Sequence, residues 1–306
     1  MANVLLGFPN RTDTATLSGG NWQTPLTNLQ DRRLSRVARS ATAVKEATRF
    51  DVDLGVPRKV SLFAIVRHNL GLTAQYRIRV AQDSAFQNVI YDSATLPAEA
   101  SVSANFALQQ YSVQGRVWSP VWPRLFNTAS LDWEDPNWWD GRLPEEDRMG
   151  YPGLVISVLY EPVFGRYVRF EFLDEGNVDG YVELGRLFIS QAWTPKNNAT
   201  YGAGVGWEFD TTMDRAIDGT AYFDRKRGRR VQTLSLDWLS RDEAFGNVFE
   251  MQRAAGIDKE MLFVWDRDDP VNLIRRSFLG RQRKINPLML PFLDNYTNAF
   301  EIEEIT

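Results

Sequence analysis

Residues Thr48–Gly55 read TRFDVDLG. Phe50, Val52 and Leu54 fall on one side of an extended chain and Asp51 and Asp53 on the other, and Gly55 then ends the run. Alternation with period two is the mark of a strand with one buried and one wet face. The next segment, VSLFAIVRHNL at Val60–Leu70, is a continuous apolar run of the kind a fully buried strand needs. AQYRIRVAQD at Ala74–Asp83 alternates again, Tyr76, Ile78 and Val80 against Arg77 and Arg79. GRYVRFEFLDE at Gly165–Glu175 interleaves Tyr167, Phe170 and Phe172 with Arg169 and Glu171, and YVELGRLFISQAW at Tyr181–Trp193 closes the set. Half-wet strands joined by turns rather than long helices predict an antiparallel β-sandwich.

Composition narrows the function classes. At 306 residues the chain is long enough for about two domains. With 43% hydrophobic and 24% charged residues it can bury a real core. The net charge of −4 argues against nucleic acid as a partner, and no run reaches the roughly 20 apolar residues of a membrane-inserted helix. There is no cysteine, so disulfides, thiol catalysis and thiolate metal sites are excluded. The opening residues carry no basic, apolar leader, and assembly in a reducing cytoplasm is the expectation. His68 is the single histidine; it ends an apolar run and reads as a hydrogen-bonded structural residue before a catalytic one.

Between about residues 94 and 162 the strand pattern is interrupted by an aromatic, proline-punctuated insertion. It holds Trp118, Trp122, Trp133, Trp138 and Trp139, half of the ten tryptophans. Such a loop either packs onto its own domain, forms a subunit interface, or stacks on a sugar ring with Asp132, Glu134, Asp135 and Asp140 accepting hydroxyl hydrogen bonds. Self-packing leads, because prolines space the indoles and aromatic side chains bury large areas. Paired acids such as Asp132 with Glu134, or Glu145 with Glu146, have the composition of a glycosidase site, but sequence spacing fixes no separation in space, and an enzyme is not expected.

After Trp193, residues 194–205 read as a linker rich in Asn, Gly and Thr, so the first domain is 1–193 and the second 206–306. The second reads as an α+β module: strands in GWEFDTTM and TAYFDRKRGRRVQTLSLDWLS with a hairpin turn at Gly228, then one helix, then three strands. Ser240 and Glu243 make a capping box for that helix, Phe245, Val248 and Phe249 its apolar stripe, and Gly256 its stop. The basic run Arg225–Arg230 has no interleaved aromatics, and Arg227, Arg229 and Arg230 are candidates for salt bridges at subunit seams. No cofactor is expected. The weak candidates for a structural calcium are Asp174 and Asp179 in FLDEGNVDG, and Asp266 and Asp268 in WDRDDPVN; the latter segment lacks the glycine and distal glutamate of an EF-hand.

RFDVDLG, YRIRVAQDSAFQNVIYDS and GRYVRFEFLDEGNVDGYVELGRLFI together resemble the discoidin-like, or galactose-binding-like, jelly roll. That resemblance implies a sandwich over roughly residues 40–193, on a fold that hosts sugar, lipid and protein binders. LDWLSRDEAF, EMLFVWDRD, RRSFLGR and NAFEIEEI resemble, in order, the tail-tube-like and distal-tail-like modules of long-tailed bacteriophages. The opening NVLLGFPNRTD resembles tail proteins that carry a discoidin-like domain. These resemblances imply a structural protein of a phage tail tip or baseplate, found in the virion and assembled in the bacterial cytoplasm. Its partners would be other tail proteins and further copies in a ring, with contacts through Trp133, Trp138 and Trp139 and the arginines. The alternative is recognition of a host-surface glycan through the same tryptophans.

Overall fold

The alternating run at Phe50 becomes the start of a long strand, Phe50–His68, and the run at Tyr167 lies within another, Leu154–Leu173. The two pair antiparallel along most of their length. This computed structural model describes residues 3–93, 119–122, 133–134, 138, 148, 150–269 and 272–306. Among them the chain forms two compact units. The larger holds residues 10–192 and 264–277; the smaller holds 3–9, 193–263 and 278–306. Residues 3–9 and 264–277 thus each lie with the unit that the sequence boundary near 193 does not give them.

The larger unit is an antiparallel sandwich made by strands long enough to serve two layers. Near Asp53–Val60 the ladder between the long strands shifts register, and Gly55, at φ +77°, takes a conformation open to glycine. Before the shift, Phe50–Asp53 sits between Thr16–Ser18 and the Tyr167–Phe170 end of its partner, which continues to Gln75–Ala81 and Val89–Asp92. After it, Leu62–Val66 sits between Leu154–Val158 and Glu183–Ser190, with Ala38–Arg39 beyond. Phe50, Val52 and Leu54 are buried as the alternation requires. The Phe50 ring stacks on Phe170 at 5.1 Å, and Phe63, from the other layer, meets Phe170 edge-on at 6.2 Å. The strand from Leu154 absorbs the end of the predicted insertion, so the interruption closes before residue 154 rather than at 162.

The wet side of the first layer is a lattice of ion pairs. Arg166 grips Asp53 with two hydrogen bonds of 2.7 and 2.8 Å, and Arg169 grips Asp51 at 2.5 and 2.8 Å. Arg79 reaches Glu171 at 3.0 Å, and Arg77 takes Asp92 at 2.9 Å. Phe86 lies under Arg169, 4.0 Å from guanidinium carbon to ring centre. The charged half of each alternating strand is therefore matched across the ladder, as cross-strand pairing favours.

The smaller unit is an eight-stranded sheet in which Arg229–Leu239 pairs with both Gly204–Glu208 and Asn295–Glu304. Leu5 and Leu6, from the start of the chain, are buried in its core with Leu234, Leu236, Phe263, Phe278 and Ile302. The predicted linker is part of this unit: Asn198 Oδ1 accepts from the Val4 amide at 3.0 Å, and the Thr200 amide donates to Ser235 O at 2.9 Å. The capping box forms, with Ser240 Oγ donating to Glu243 Oε2 at 2.8 Å, and Gly256 ends the helix at φ +55°. The helix is wider than α over Glu243–Phe249 before it tightens at Glu250–Ala255. That change of pitch turns Ala244, Val248, Met251 and Ala255 inward and leaves Phe245 and Phe249 half-exposed, which corrects the predicted stripe.

Candidate functional surface

Two hairpins of the smaller unit carry apolar side chains that the unit itself does not cover. Gly204–Glu208 runs antiparallel to Arg229–Leu239 from Gly204 opposite Thr233 to Glu208 opposite Arg229. Beyond that pair the two chains leave the sheet and rejoin as a ribbon of their own, Thr212–Arg215 against Ala221–Asp224, which pairs with no other strand among the described residues. Its turn is built on Asp218 and Gly219. Asp218 Oδ1 accepts from the Thr220 amide at 2.9 Å, the Gly219 amide donates to Ala216 O at 2.9 Å, and Gly219 takes φ +87°. This corrects the hairpin predicted at Gly228. That glycine lies buried at the ribbon's root instead, where a Cβ would come within 2.5 Å of the Phe209 ring.

Every residue of the ribbon from Thr212 to Asp224 is exposed. Met213, Ile217, Tyr222 and Phe223 stand out in solvent, Phe223 at 66% of its surface, and Trp207 and Phe209 extend the apolar strip toward the sheet. A two-stranded ribbon with no sheet behind it is marginal in water. Here the root is held by ionic and aromatic contacts: Arg229 pairs with Asp210 at 2.6 Å, and Trp207 stacks on Phe209 at 6.3 Å. A second hairpin pairs Met289–Phe292 with the start of Asn295–Glu304, Met289 opposite Thr297 and Phe292 opposite Asn295. Met289, Leu290, Phe292 and Leu293 are all exposed, and Asp294 turns the chain at φ +56°. Pro291 sits on this outer strand, where a missing N–H costs no ladder bond.

The predicted seam arginines divide three ways. Arg227 is exposed at the root of the ribbon. Arg229 is half-buried, with Glu208 and Glu303 beside Asp210. Arg230 is not at a surface: it is 2% exposed, its Nε donates to Glu304 Oε2 at 2.8 Å, and its guanidinium lies 5.0 Å from the Phe278 ring. The strand period sends it inward with Gln232, Leu234 and Leu236, so it belongs to the core and is withdrawn from the seam.

Of the tryptophans, Trp122 is buried, donates from Nε1 to Leu70 O at 3.0 Å, and meets the His68 ring at 5.3 Å. Trp133 is 72% exposed beside exposed Glu134, and Trp138 is half-buried. Trp118, Trp139, Asp132, Asp135, Asp140, Glu145 and Glu146 lie outside the described residues. His68 Nδ1 accepts from the Leu70 amide at 3.2 Å. Burial, helped by the charge of Arg148, pushes its pKa from 6.5 down to about 3, so the imidazole is neutral.

The calcium candidates do different work. Asp174 is buried, and its Oδ2 accepts from the Gly71 amide at 2.9 Å and from Asn177 Nδ2 at 2.8 Å, tying two loops together. Asp179 accepts from Asn69, and Asp266 accepts from the Asp268 amide, a turn contact. Among the described residues no group of three histidine, aspartate or glutamate side chains is placed to hold a metal ion.

No family model and no curated protein sequence matches the chain. Solved structures similar to it include a CBM32 module from a family 31 glycoside hydrolase of Clostridium perfringens, at 10% identity and a TM-score of 0.35, covering 60% of this chain and 99% of that one. Another is the family 32 module of NanJ from C. perfringens, solved with galactose, at 13% identity and a TM-score of 0.34, covering 61% of this chain and 99% of that one. A fucose-binding module of Streptococcus pneumoniae is similar at 11% identity and a TM-score of 0.33, covering 60% and 95%.

Proposed function

We propose that the chain is a structural component that works by protein–protein assembly, and that its setting is a phage tail tip or baseplate, made in the bacterial cytoplasm and carried in the virion. The observation that supports assembly is the ribbon Thr212–Asp224, which holds Met213, Ile217, Tyr222 and Phe223 in solvent. Contiguous exposed apolar side chains of this size are a feature of interaction surfaces rather than of free-standing domains. The phage setting rests on the sequence resemblance, and the structures named above lend nothing to it. The test is incorporation: with Tyr222→Ser and Phe223→Ser together, the chain should fold and be lost from assembled particles. Undiminished incorporation would refute the reading.

A second reading, binding of a host-surface glycan, is favoured by Trp133, an exposed indole beside an exposed carboxylate at Glu134. Sugars are named for two of the structures above; for this chain the reading rests on these two side chains. Trp133→Ala separates the two. Under assembly through the ribbon, rather than through the tryptophans expected from the sequence, it leaves both particle formation and glycan-array binding unchanged, and under glycan recognition particles form normally but lose attachment.

A further inference from the structure

One edge of the smaller unit's sheet carries the chemistry of a strand acceptor. Gly204–Glu208 stands last in the strand order, beside Arg229–Leu239, with no strand on its other side among the described residues. Its five pairs, from Gly204 opposite Thr233 to Glu208 opposite Arg229, run without a register shift. Natural sheets blunt such an edge with lysine, proline, a bulge or a very short strand. The opposite edge of this sheet is short, the two residues Ala192–Trp193. The edge at Gly204–Glu208 reads GVGWE and has none of these devices, and its one charge, Glu208, is engaged by Arg283 at 2.7 Å.

The next strand in fixes which way the backbone points. The Arg230 amide donates to Glu304 Oε2 at 3.1 Å, on the side of Asn295–Glu304. Ser235 O accepts from the amide of Thr200, which lies on the other side, just before Gly204. Both polar groups of a residue in an antiparallel ladder point the same way, and successive residues alternate. Gly204, Gly206 and Glu208 stand opposite Thr233, Val231 and Arg229 and so bond into the sheet. Val205, opposite Gln232, turns its N–H and C=O outward from the edge.

The side chains of the edge also call for a neighbour. Val205 and Trp207 lie opposite the buried Gln232 and Arg230, hence on the core side of the sheet, yet are 50% and 44% exposed because the layer stops there. On the other face Gly204 and Gly206 leave a gap. Neither has a positive φ, and a Cβ at Gly206 would meet nothing within 4 Å, so no contact among the described residues requires glycine there. Glycine inside a strand weakens it and marks the close approach of another group. Bulky side chains on an adjoining strand cover such glycines.

We propose that Gly204–Glu208 accepts an extended strand of another protein, bonded to the N–H and C=O of Val205. Its apolar side chains lie beside Val205 and Trp207, and a bulky one covers Gly206. This rests on the assembly reading and adds a contact that continues from the ribbon along the same chain. The same edge of a second copy does not fit. Antiparallel, outward-turned residues pair only with outward-turned residues, so glycine would face glycine or Glu208 and the gap would stay open.

The experiment follows amide hydrogen exchange at Val205 and Gly206 in the full chain, free and in assembled particles. In the free chain Val205 should exchange fast and Gly206 slowly; in particles Val205 should slow by ~10-fold, the protection of one backbone hydrogen bond. Gly206→Val fills open space with a strand former, so it should melt no lower than wild type and still abolish the protection of Val205. Val205→Pro removes an N–H that the sheet does not use and should lower incorporation into particles while the free chain keeps its circular dichroism. Val205 exchanging equally fast in both states, or staying protected in Gly206→Val particles, overturns the proposal and leaves the assembly reading standing. Protection that appears in the pure chain as its concentration rises names a second copy as the occupant and also overturns it. A wild-type chain absent from particles refutes the assembly reading and this proposal with it.

Discussion

Replacing Glu304 by glutamine removes one charge from the interior of the smaller unit and almost no volume. Arg230 and Glu304 have side chains 2% and 3% exposed, and two hydrogen bonds of 2.8 and 2.5 Å join them. The Arg230 amide donates to the same carboxylate at 3.1 Å. Removing one member of a buried pair leaves the other charged and desolvated, a loss of ~3–5 kcal/mol. For a unit of this size each kcal/mol is worth about 4–8 °C, so the melting transition of that unit should drop by about 12 °C or more. Because the chain has two units, the cleaner assay is native-state hydrogen exchange at the amides of Val231–Leu236, which reads the smaller unit by itself. The pair Arg230→Met with Glu304→Leu should recover most of the loss, since an apolar replacement of similar volume carries no stranded charge. A cost below ~1 kcal/mol for Glu304→Gln, the value of a surface pair, would refute the placement of Arg230 in the core.

Three further outcomes are expected. Ser240→Ala removes the hydroxyl of the capping box and should cost about 1 kcal/mol by urea unfolding of the smaller unit; no change would mean the helix start is held otherwise. Gly20 has φ +69° and would drive a Cβ to within 2.3 Å of Arg49 O and 2.6 Å of Ala47 O, so Gly20→Ala should destabilise the larger unit by more than about 1 kcal/mol in a thermal melt. His68, with a folded pKa of about 3 against 6.5, takes up a proton more readily when unfolded. Its contribution is present in full above about pH 6.5 and is lost as pH falls from there toward 3. His68→Gln should flatten the fall in urea midpoint between pH 7 and pH 4, and an unaltered slope would show that imidazole protonation is not coupled to unfolding.

The mainly β architecture was legible because it rests on local pattern. Phe50, Val52 and Leu54 alternate with Asp51 and Asp53, and a one-residue slip would have put the aspartates into the core. Which arginine each aspartate takes was not legible, because Asp51 meets Arg169 only through a register set 118 residues away. Arg230 misled for the same reason. A basic run reads as surface until its strand period is counted and a carboxylate 74 residues on is brought to it. The charge cluster around Gly228 looks like a turn, but Asp218–Gly219 competes with it and supplies both the side-chain acceptor and the positive φ. The candidate surface itself was missed. Met213, Tyr222, Phe223 and the Met289–Leu293 run look like ordinary strand residues, and only the absence of a covering layer in this unit sets them apart. The one sequence-level sign is apolar density without a charged alternate face, at Ala221–Phe223 and between Pro287 and Leu293.

The account depends most on whether the exposed ribbon becomes covered when the protein is at work. Hydroxyl-radical footprinting of Tyr222 and Phe223, in the free chain and in assembled particles, measures that directly. The account predicts heavy modification of both rings in the free chain and strong protection in the assembly, with Trp133 modified equally in the two states. Equal modification of Tyr222 and Phe223 in both states would contradict it.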